Sequence, residues 1–176
     1  PNYQATLQYR RPAHNVAKQF SRAFPLPFSD GFDSCTASSS PRYWSAMSGA
    51  FECIAVGSTD SVLKQGSPAR TAYASPEMND RLPYTMIGES TWQSVNATVD
   101  VQLNTTNASA AAFLGIRVTS SAIFFQLTNP DGIWLRVDGS GSWSIRTGLD
   151  TNVTLASGVI PRQHAGSDSW LRLSLS

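Results

Sequence analysis

Apolar and polar residues alternate one by one along residues 95–104. The apolar positions are Val95, Ala97, Val99, Val101 and Leu103, and each is followed by Asn, Thr, Asp or Gln. Successive side chains of a β-strand point to opposite faces, so a period of two places every apolar residue on one face. The pattern therefore predicts a half-buried strand.

Shorter strand-like runs follow, separated by sequences that favour turns. They are predicted at residues 113–118, 122–127, 133–137, 143–146, 152–156 and 170–175. The stretches Asn129–Gly132 and Asp138–Gly141 combine Asn, Asp, Pro and Gly, which are the residue types that tight turns require. Turns at intervals of about 8–12 residues are typical of an all-β sandwich. We therefore predict an antiparallel, all-β sandwich.

The two ends of the chain differ from this regular pattern. Residues 1–23 show no clean period, and we predict that they are a linker or the tail of a preceding domain, with the sandwich domain at 24–176. The chain stops within the last predicted strand. We expect the final strands of the sandwich to be missing, or another chain to complete the exposed sheet edge.

Length and composition restrict the functional classes. The 176 residues suit one domain with a real core, and the net charge of +1 does not favour nucleic acid or an anionic membrane as a partner. No apolar run approaches the ~20 residues of a membrane span, so no transmembrane segment is predicted. Because the sequence starts at Pro1 without a methionine, we expect a signal peptide or a larger upstream region.

Four Asn-x-Ser/Thr sequons favour passage through the secretory pathway. The predicted glycosylation sites are Asn96, Asn104, Asn107 and Asn152. A chain rich in Ser and Thr produces one or two sequons by chance. Four of them, with Asn96 on the polar side of an alternating strand, favour a secretory-pathway protein.

The chain has two cysteines, Cys35 and Cys53. In an oxidising compartment they can close a loop of about 18 residues, and the alternative is two free buried thiols. Metal binding by the cysteines is not predicted, because only two histidines are present and no Cys-x-x-Cys spacing occurs. We predict the disulfide.

No catalytic group is predicted within these residues. Some sandwich glycosidases present two carboxylates from a Glu-x-Asp-x-x-Glu strand, which holds the acid and the nucleophile about 5 Å apart in retaining enzymes. None of Glu52, Glu77 and Glu89 begins that motif. A Ser/His/Asp triad is not indicated either, because His14 and His164 do not neighbour a nucleophile elbow and are predicted to be exposed loop residues.

The tryptophans allow two interpretations. Trp134 and Arg136 alternate with the apolar residues of their predicted strand, and Trp143 could lie beside Trp134 across the hairpin. The pair would then be an aromatic platform for sugar or lipid, or simply one more packing face. We predict that the remaining tryptophans belong to the core. They are Trp44, Trp92 and Trp170.

Eight short stretches occur in a characteristic order. They are Phe24-Pro-Leu-Pro27, Ser29-Asp-Gly-Phe-Asp33, Ser48-Gly-Ala-Phe-Glu52, Leu63-Lys-Gln65, Met86-Ile-Gly-Glu89 with Trp92, Phe113–Val118, Gly132–Trp143 and Ser169-Trp-Leu171. In this order they resemble the C-terminal lectin-like domain of galactocerebrosidase. The resemblance implies a concanavalin- or laminin-G-like β-sandwich (jelly roll) that binds carbohydrate.

The resemblance also implies a parent enzyme. That family is a lysosomal glycosidase, which hydrolyses galactosylceramide to galactose and ceramide with a catalytic pair on a preceding barrel. The expected partners are therefore a galactose-containing glycolipid or glycan and a catalytic domain outside these residues. The alternative is an extracellular carbohydrate-binding, adhesion or structural glycoprotein module without hydrolase activity.

Two kinds of site follow from the resemblance. Tyr73 lies near the position from which the family lends an aromatic ring to the galactose pocket, although it could also pack on a loop. The resemblance further implies one structural calcium ion, held by Asp30, Asp33 and the backbone carbonyl of Ser61. Gly31 stands where the family has an acidic ligand.

Overall fold

The computed structural model describes residues 24–58, 60–67, 82–89, 91–103, 110–118, 130–149, 153–160 and 170–176. These residues contain ten β-strands and no helix, which confirms the predicted all-β class. No helix long and apolar enough to cross a membrane is found in the described ranges. The chain divides into two compact units, Pro1–Asp30 and Gly31–Ser176. All ten strands lie in the second unit, and the domain boundary at residue 24 stays a prediction.

The strands pair into four antiparallel sheets. Their bounds are β1 Ser45–Ser48, β2 Ala50–Val56, β3 Asp60–Ser67, β4 Tyr84–Met86, β5 Ala97–Gln102, β6 Ala111–Ile116, β7 Ile133–Asp138, β8 Ser142–Thr147, β9 Thr154–Val159 and β10 Trp170–Leu175. Among the described residues, β6-β7-β8-β9 form the largest sheet, and β1-β4, β2-β3 and β10-β5 form pairs. The antiparallel pairing is confirmed, while the strand order of a jelly roll stays a prediction.

The alternating strand predicted at residues 95–104 is confirmed as β5. Its residues alternate between partly buried and exposed along the whole of Ala97–Gln102. β10 pairs with it in continuous register, from Trp170 opposite Gln102 to Leu175 opposite Ala97. Leu173 of β10 is almost completely buried. The pair therefore has one apolar face toward the core and one polar face toward solvent, as a half-buried antiparallel pair should.

Most of the shorter predicted strands are also present, with small shifts of the strand ends. β7 and β8 include the predicted residues 133–137 and 143–146. β6 begins and ends two residues before the predicted 113–118, and β9 lies closer to the C-terminus than the predicted 152–156. The strand predicted at 122–127 lies outside the described residues. Asp138 explains the tight β7–β8 connection, because its carboxylate accepts hydrogen bonds from the amides of Ser140 and Ser142.

The core lies between the β1–β4 pair and the four-stranded sheet. Tyr84 on β4 and Trp134 on β7 meet edge to face, with ring centroids 6.3 Å apart, and Leu149 completes the buried cluster. Partly buried side chains surround it. They are Met47, Leu82, Met86, Phe113 and Val118. The second face of the same sheet carries Val137 and Ile116, which are also buried. The sheet therefore carries buried side chains on both of its faces at β6 and β7, whereas β9 is largely exposed.

Gly115 allows the close packing of Trp134. It lies directly opposite Trp134 in the β6–β7 register. A Cβ atom on Gly115 would stand 2.5 Å from ring carbons of the indole, well inside van der Waals contact. The Trp134 side chain is only 5% exposed, so the ring has little room to move away. The absence of a side chain at Gly115 is therefore a packing requirement.

Candidate functional site

The predicted disulfide joins Cys35 to Cys53 across a sequence separation of 18, with the two Cα atoms 6.0 Å apart. Cys53 is completely buried on β2. Its amide donates a hydrogen bond to the carbonyl of Ser39, and its carbonyl accepts one from the amide of Ser38. The disulfide thus anchors the segment before β1 along the side of β2, and it confirms the interpretation of the two cysteines.

The residues predicted to bind calcium differ in exposure. Asp33 is exposed, while Asp30 and Ser61 on β3 are partly buried. An Asp33 carboxylate oxygen lies 3.0 Å from the position that a Cβ on Gly31 would take. Within the described ranges, no group of three or more His, Cys, Asp and Glu side chains could hold a metal ion.

The donor set is small for calcium, which takes six to eight oxygen ligands. Two carboxylates and one backbone carbonyl supply at most about five oxygens, even if both carboxylates bind through two atoms. Asp30, Asp33 and Ser61 therefore do not fit a complete calcium site by themselves. The calcium site stays a prediction, and it contributes nothing to the function proposed below.

Most other predicted site residues lie outside the described residues. They are Tyr73, Asn104, Asn107 and Asn152. Asn96, immediately before β5, is described and is exposed. Exposure is a condition for N-glycosylation. The sugar contact of Tyr73 and the four glycosylation sites therefore stay predictions.

The interpretation of Trp134 and Trp143 as a shared aromatic platform is wrong. Trp143 lies opposite Val137 in the β7–β8 register, whereas Trp134 lies opposite Arg146. Because side chains alternate along each strand, Trp134 and Trp143 point to opposite faces of the sheet. Trp134 is buried in the core. Trp143 covers Gly158, where an added Cβ would stand 2.8 Å from the indole.

The prediction that Trp170 belongs to the core is also wrong. Its side chain is 51% exposed. Trp170 alternates with Leu171, Leu173 and Leu175, and these leucines lie on the apolar side of β10. The period of two in this short stretch was the signal that places Trp170 on the opposite, polar side. Trp44 and Trp92 are partly buried.

The exposed side of β5 and β10 carries a ladder of cross-strand polar pairs around Trp170. We call it the outer face, and it consists of Thr98, Asp100, Gln102, Trp170, Arg172 and Ser174. Arg172 donates two hydrogen bonds to Asp100, from Nε to Oδ1 at 2.7 Å and from Nη2 to Oδ2 at 2.8 Å. The hydroxyl groups of Thr98 and Ser174 are 3.1 Å apart and share a hydrogen bond. Trp170 and Gln102 form the third pair.

The ion pair on the outer face shifts the pKa of both partners further from neutral pH. The hydrogen bonds from Arg172 lower the pKa of the Asp100 carboxyl below its ordinary value, and Asp100 raises the pKa of Arg172. Both side chains therefore carry charge at neutral pH, and the two charges cancel locally. A two-point contact also holds the guanidinium plane in a defined orientation.

The pKa of Asp100 gives a testable pH dependence. A lowered pKa stabilises the folded chain at pH values above the ordinary Asp pKa of ~3.9, and this contribution disappears as the pH falls through the lowered value. NMR titration of the side-chain carboxyl carbon should therefore show Asp100 protonating at lower pH than an ordinary aspartate. In Arg172→Ala the titration should return to the ordinary range. An unchanged midpoint in that variant would show that Arg172 does not cause the shift.

Asp138 is a second paired aspartate, and its role is structural. Burial by itself raises the pKa of Asp138, but hydrogen bonds from Ser140, Arg136 and two backbone amides outweigh it, so that the pKa is lowered. Arg136 Nη1 lies 2.8 Å from the carboxylate. A carboxylate saturated in this way and held ionised does not suit a general acid, which needs a raised pKa.

Comparison with known protein families identifies a lectin domain. The family described as galactocerebrosidase, C-terminal lectin domain, matches residues 48–176, which is well over half of the chain. The matched range includes all of β2–β10, and with them the outer face. No curated protein and no solved structure matches the chain.

Proposed function

Because the chain belongs to the galactocerebrosidase C-terminal lectin-domain family, we propose that it is the carbohydrate-binding, non-catalytic domain of a glycosidase that hydrolyses galactosylceramide to galactose and ceramide. The family match over residues 48–176 is the observation that carries this proposal. The catalytic carboxylates would belong to a barrel domain of the same parent protein, and this domain would form one wall of the galactose pocket through Tyr73.

Asp100 and Asp138, the two described aspartates with shifted pKa values, do not suit the role of a general acid. A glycosidase needs one carboxylic acid that stays protonated near neutral pH and a second carboxylate within a suitable distance. Asp100 and Asp138 both have lowered pKa values, and both are committed to arginine partners. Neither is therefore suited to donate a proton to a leaving group.

The disulfide supports a site of action outside the cytosol. Disulfide bonds form and persist in oxidising compartments, and the thiols of cytosolic proteins are normally kept reduced. The Cys35–Cys53 bond is therefore in keeping with a lysosomal or extracellular protein. Glycosylation at the predicted sequons would have the same implication.

Two measurements on the native protein test this proposal. Its intact mass, determined before and after enzymatic removal of N-glycans, should be more than twice the 19.0 kDa of this chain, because a barrel domain adds ~250 residues. It should also hydrolyse galactosylceramide. Replacing Tyr73 with alanine should lower kcat/KM about tenfold, the effect of losing ~1.4 kcal/mol of transition-state stabilisation. Tyr73→Trp should preserve the activity, because it keeps an aromatic face.

Three results would contradict parts of this proposal. Unchanged turnover in Tyr73→Ala would remove Tyr73 from the substrate site. A mass near 19.0 kDa plus glycans would identify a stand-alone carbohydrate-binding module. Absence of galactosylceramide turnover in a protein of full parental size would rule out the proposed reaction.

A further inference from the structure

We propose that the outer face of β5 and β10 binds a neutral oligosaccharide chain, with Trp170 as the stacking surface and the Asp100–Arg172 pair as the hydrogen-bonding centre. This inference rests on the proposed carbohydrate-binding function and adds a second contact surface, separate from the predicted contact at Tyr73. The occupant is the glycan of a glycoconjugate, recognised by its hydroxyl groups and its apolar C–H faces.

The dimensions of the outer face suit a chain of sugars rather than one ring. Its three cross-strand pairs follow one another without a bulge, because β5 and β10 keep continuous register from Trp170–Gln102 to Leu175–Ala97. Pairs on the same face are separated by two residues, or ~7 Å, so three pairs extend over ~14 Å. The face is therefore an elongated strip, with the aromatic ring at one end and the hydroxyl pair at the other.

Trp170 supplies the apolar part of the recognition. The Trp170 side chain is 51% exposed, while the neighbouring leucines of β10 lie on the opposite, inner side of the strand. The indole ring therefore leaves an apolar surface in contact with water. Sugar rings have apolar C–H faces that can cover such a ring, and a flat aromatic side chain loses little conformational entropy on binding. Gln102, directly opposite, has an amide that both donates and accepts hydrogen bonds.

The Asp100–Arg172 pair supplies polar groups that are already oriented. Two of the five guanidinium N–H donors are used within the pair, and the carboxylate retains about two of its roughly four acceptor positions. Adjacent sugar hydroxyls, which donate and accept at once, can bind to both residues. Because the two-point contact restrains both exposed side chains before the ligand arrives, less ordering is required on binding.

The charge of the outer face favours a neutral ligand. Its two charged groups, Asp100 and Arg172, neutralise one another. A phosphate or sulfate group would approach Asp100 as well as Arg172, so the attraction and the repulsion would largely cancel. An apolar lipid surface would remove water from the exposed ion pair without replacing its hydrogen bonds. A polyhydroxyl chain avoids both penalties.

The test measures binding of neutral tetrasaccharides, beginning with galactotetraose, to the native protein and its variants by calorimetry. N-glycans are removed first, so that a glycan on Asn96 cannot occupy the outer face. Trp170→Ala should weaken binding at least tenfold, and so should the double variant Asp100→Ala/Arg172→Ala. Trp170→Tyr should bind within about threefold of the native protein. Val159→Ala removes an apolar side chain of β9 that is 71% exposed, more than Trp170, and should have no effect.

Each outcome decides the proposal. Tenfold losses in the outer-face variants, with unchanged turnover of galactosylceramide, would support a second carbohydrate site. Binding that is equally tight in native protein and in Trp170→Ala would overturn the proposed site but leave the carbohydrate-binding function intact. If no tetrasaccharide binds to the native protein, the outer-face site is rejected, and turnover of galactosylceramide then decides the proposed function independently.

Discussion

Replacing Trp134 with alanine should lower the free energy of unfolding by about 4 kcal/mol, which lies within the range measured for truncating a buried aromatic side chain. Trp134 is 5% exposed and packs against Tyr84 and Leu149. Its removal would leave a cavity between the β1–β4 pair and the four-stranded sheet, because both surrounding layers are held by backbone hydrogen bonds. Chemical denaturation monitored by far-UV circular dichroism would measure the loss.

The loss is large relative to the stability of a domain. Folded domains are typically stable by about 5–15 kcal/mol, so the variant would retain only part of that margin. In a chain of this size the melting temperature should fall by about 8–16 °C. Trp134→Phe should lose clearly less. It keeps an aromatic ring in the core and removes an indole N–H that is buried without a hydrogen-bond partner among the described residues.

A second substitution tests whether Trp134 and Gly115 are energetically coupled. Gly115→Ala alone should destabilise the chain by about 2 kcal/mol, because the new methyl group would overlap the indole ring. In the Trp134→Ala background the same change should cost almost nothing, since the ring is absent. The deviation of the double variant from additivity would measure the coupling. Equal effects of Gly115→Ala in both backgrounds would contradict the packing described for this pair.

Gly66→Ala is a suitable control for that cycle. Gly66 also lies in a strand, β3, but the nearest atom to an added Cβ is a carboxylate oxygen of Glu52 at 3.2 Å. The end of the Glu52 side chain can rotate away, whereas the buried indole ring cannot. Gly66→Ala should therefore change the free energy of unfolding by no more than about 0.5 kcal/mol, which is usual for a surface substitution.

Removing the Cys35–Cys53 disulfide should lower the free energy of unfolding by about 3 kcal/mol. The bond closes a loop with a sequence separation of 18, and the entropy that such a cross-link removes from the unfolded chain corresponds to that value. The double variant Cys35→Ala/Cys53→Ala isolates the effect, because it avoids a polar hydroxyl at the completely buried position 53. Denaturation of the native protein with and without reductant measures the same quantity.

The effect should also be local in the native state. The segment at Ser38 and Ser39 pairs with the backbone of Cys53, so these hydrogen bonds should exchange faster once the bond is removed. Protection in the β7–β8 hairpin should change only through the loss of global stability. Added reductant should not alter the double variant. If the native protein is equally stable in the presence and absence of reductant, the disulfide does not stabilise this fold as expected.

Local alternation was enough to predict the class of structure and much of the strand pattern. β5 is the clearest case. Its six residues alternate between partly buried and exposed, as the period of two in the sequence predicts. The Asp138–Gly141 turn was equally predictable, since an aspartate side chain and two glycines favour a tight connection irrespective of the surroundings. The strand ends shifted by a few residues, because pairing with a neighbour, and not propensity, decides where a strand stops.

The roles of the tryptophans depended on long-range pairing. Alternation correctly separated Trp134 from Ile133 and Leu135, yet it could not show that the Trp134 side is also buried, because β1 and β4 cover it from distant parts of the sequence. The relation of Trp134 to Trp143 depended on the register of the hairpin, and a shift of one residue reverses the face. The exposure of Trp170 required both its own alternation and the pairing of β10 with β5.

The same distinction between local sequence and long-range strand pairing applies to the proposed carbohydrate surface. Sequence motifs alone indicated a lectin-like sandwich domain without a catalytic pair, because family motifs and turn residues are local features of the chain. The outer face could not be read in this way. Asp100 and Arg172 are separated by 72 positions, and only the antiparallel pairing of β5 with β10 places their side chains within hydrogen-bonding distance. The sequence by itself therefore shows which kinds of residue are present. The register between paired strands decides which of those residues lie close together.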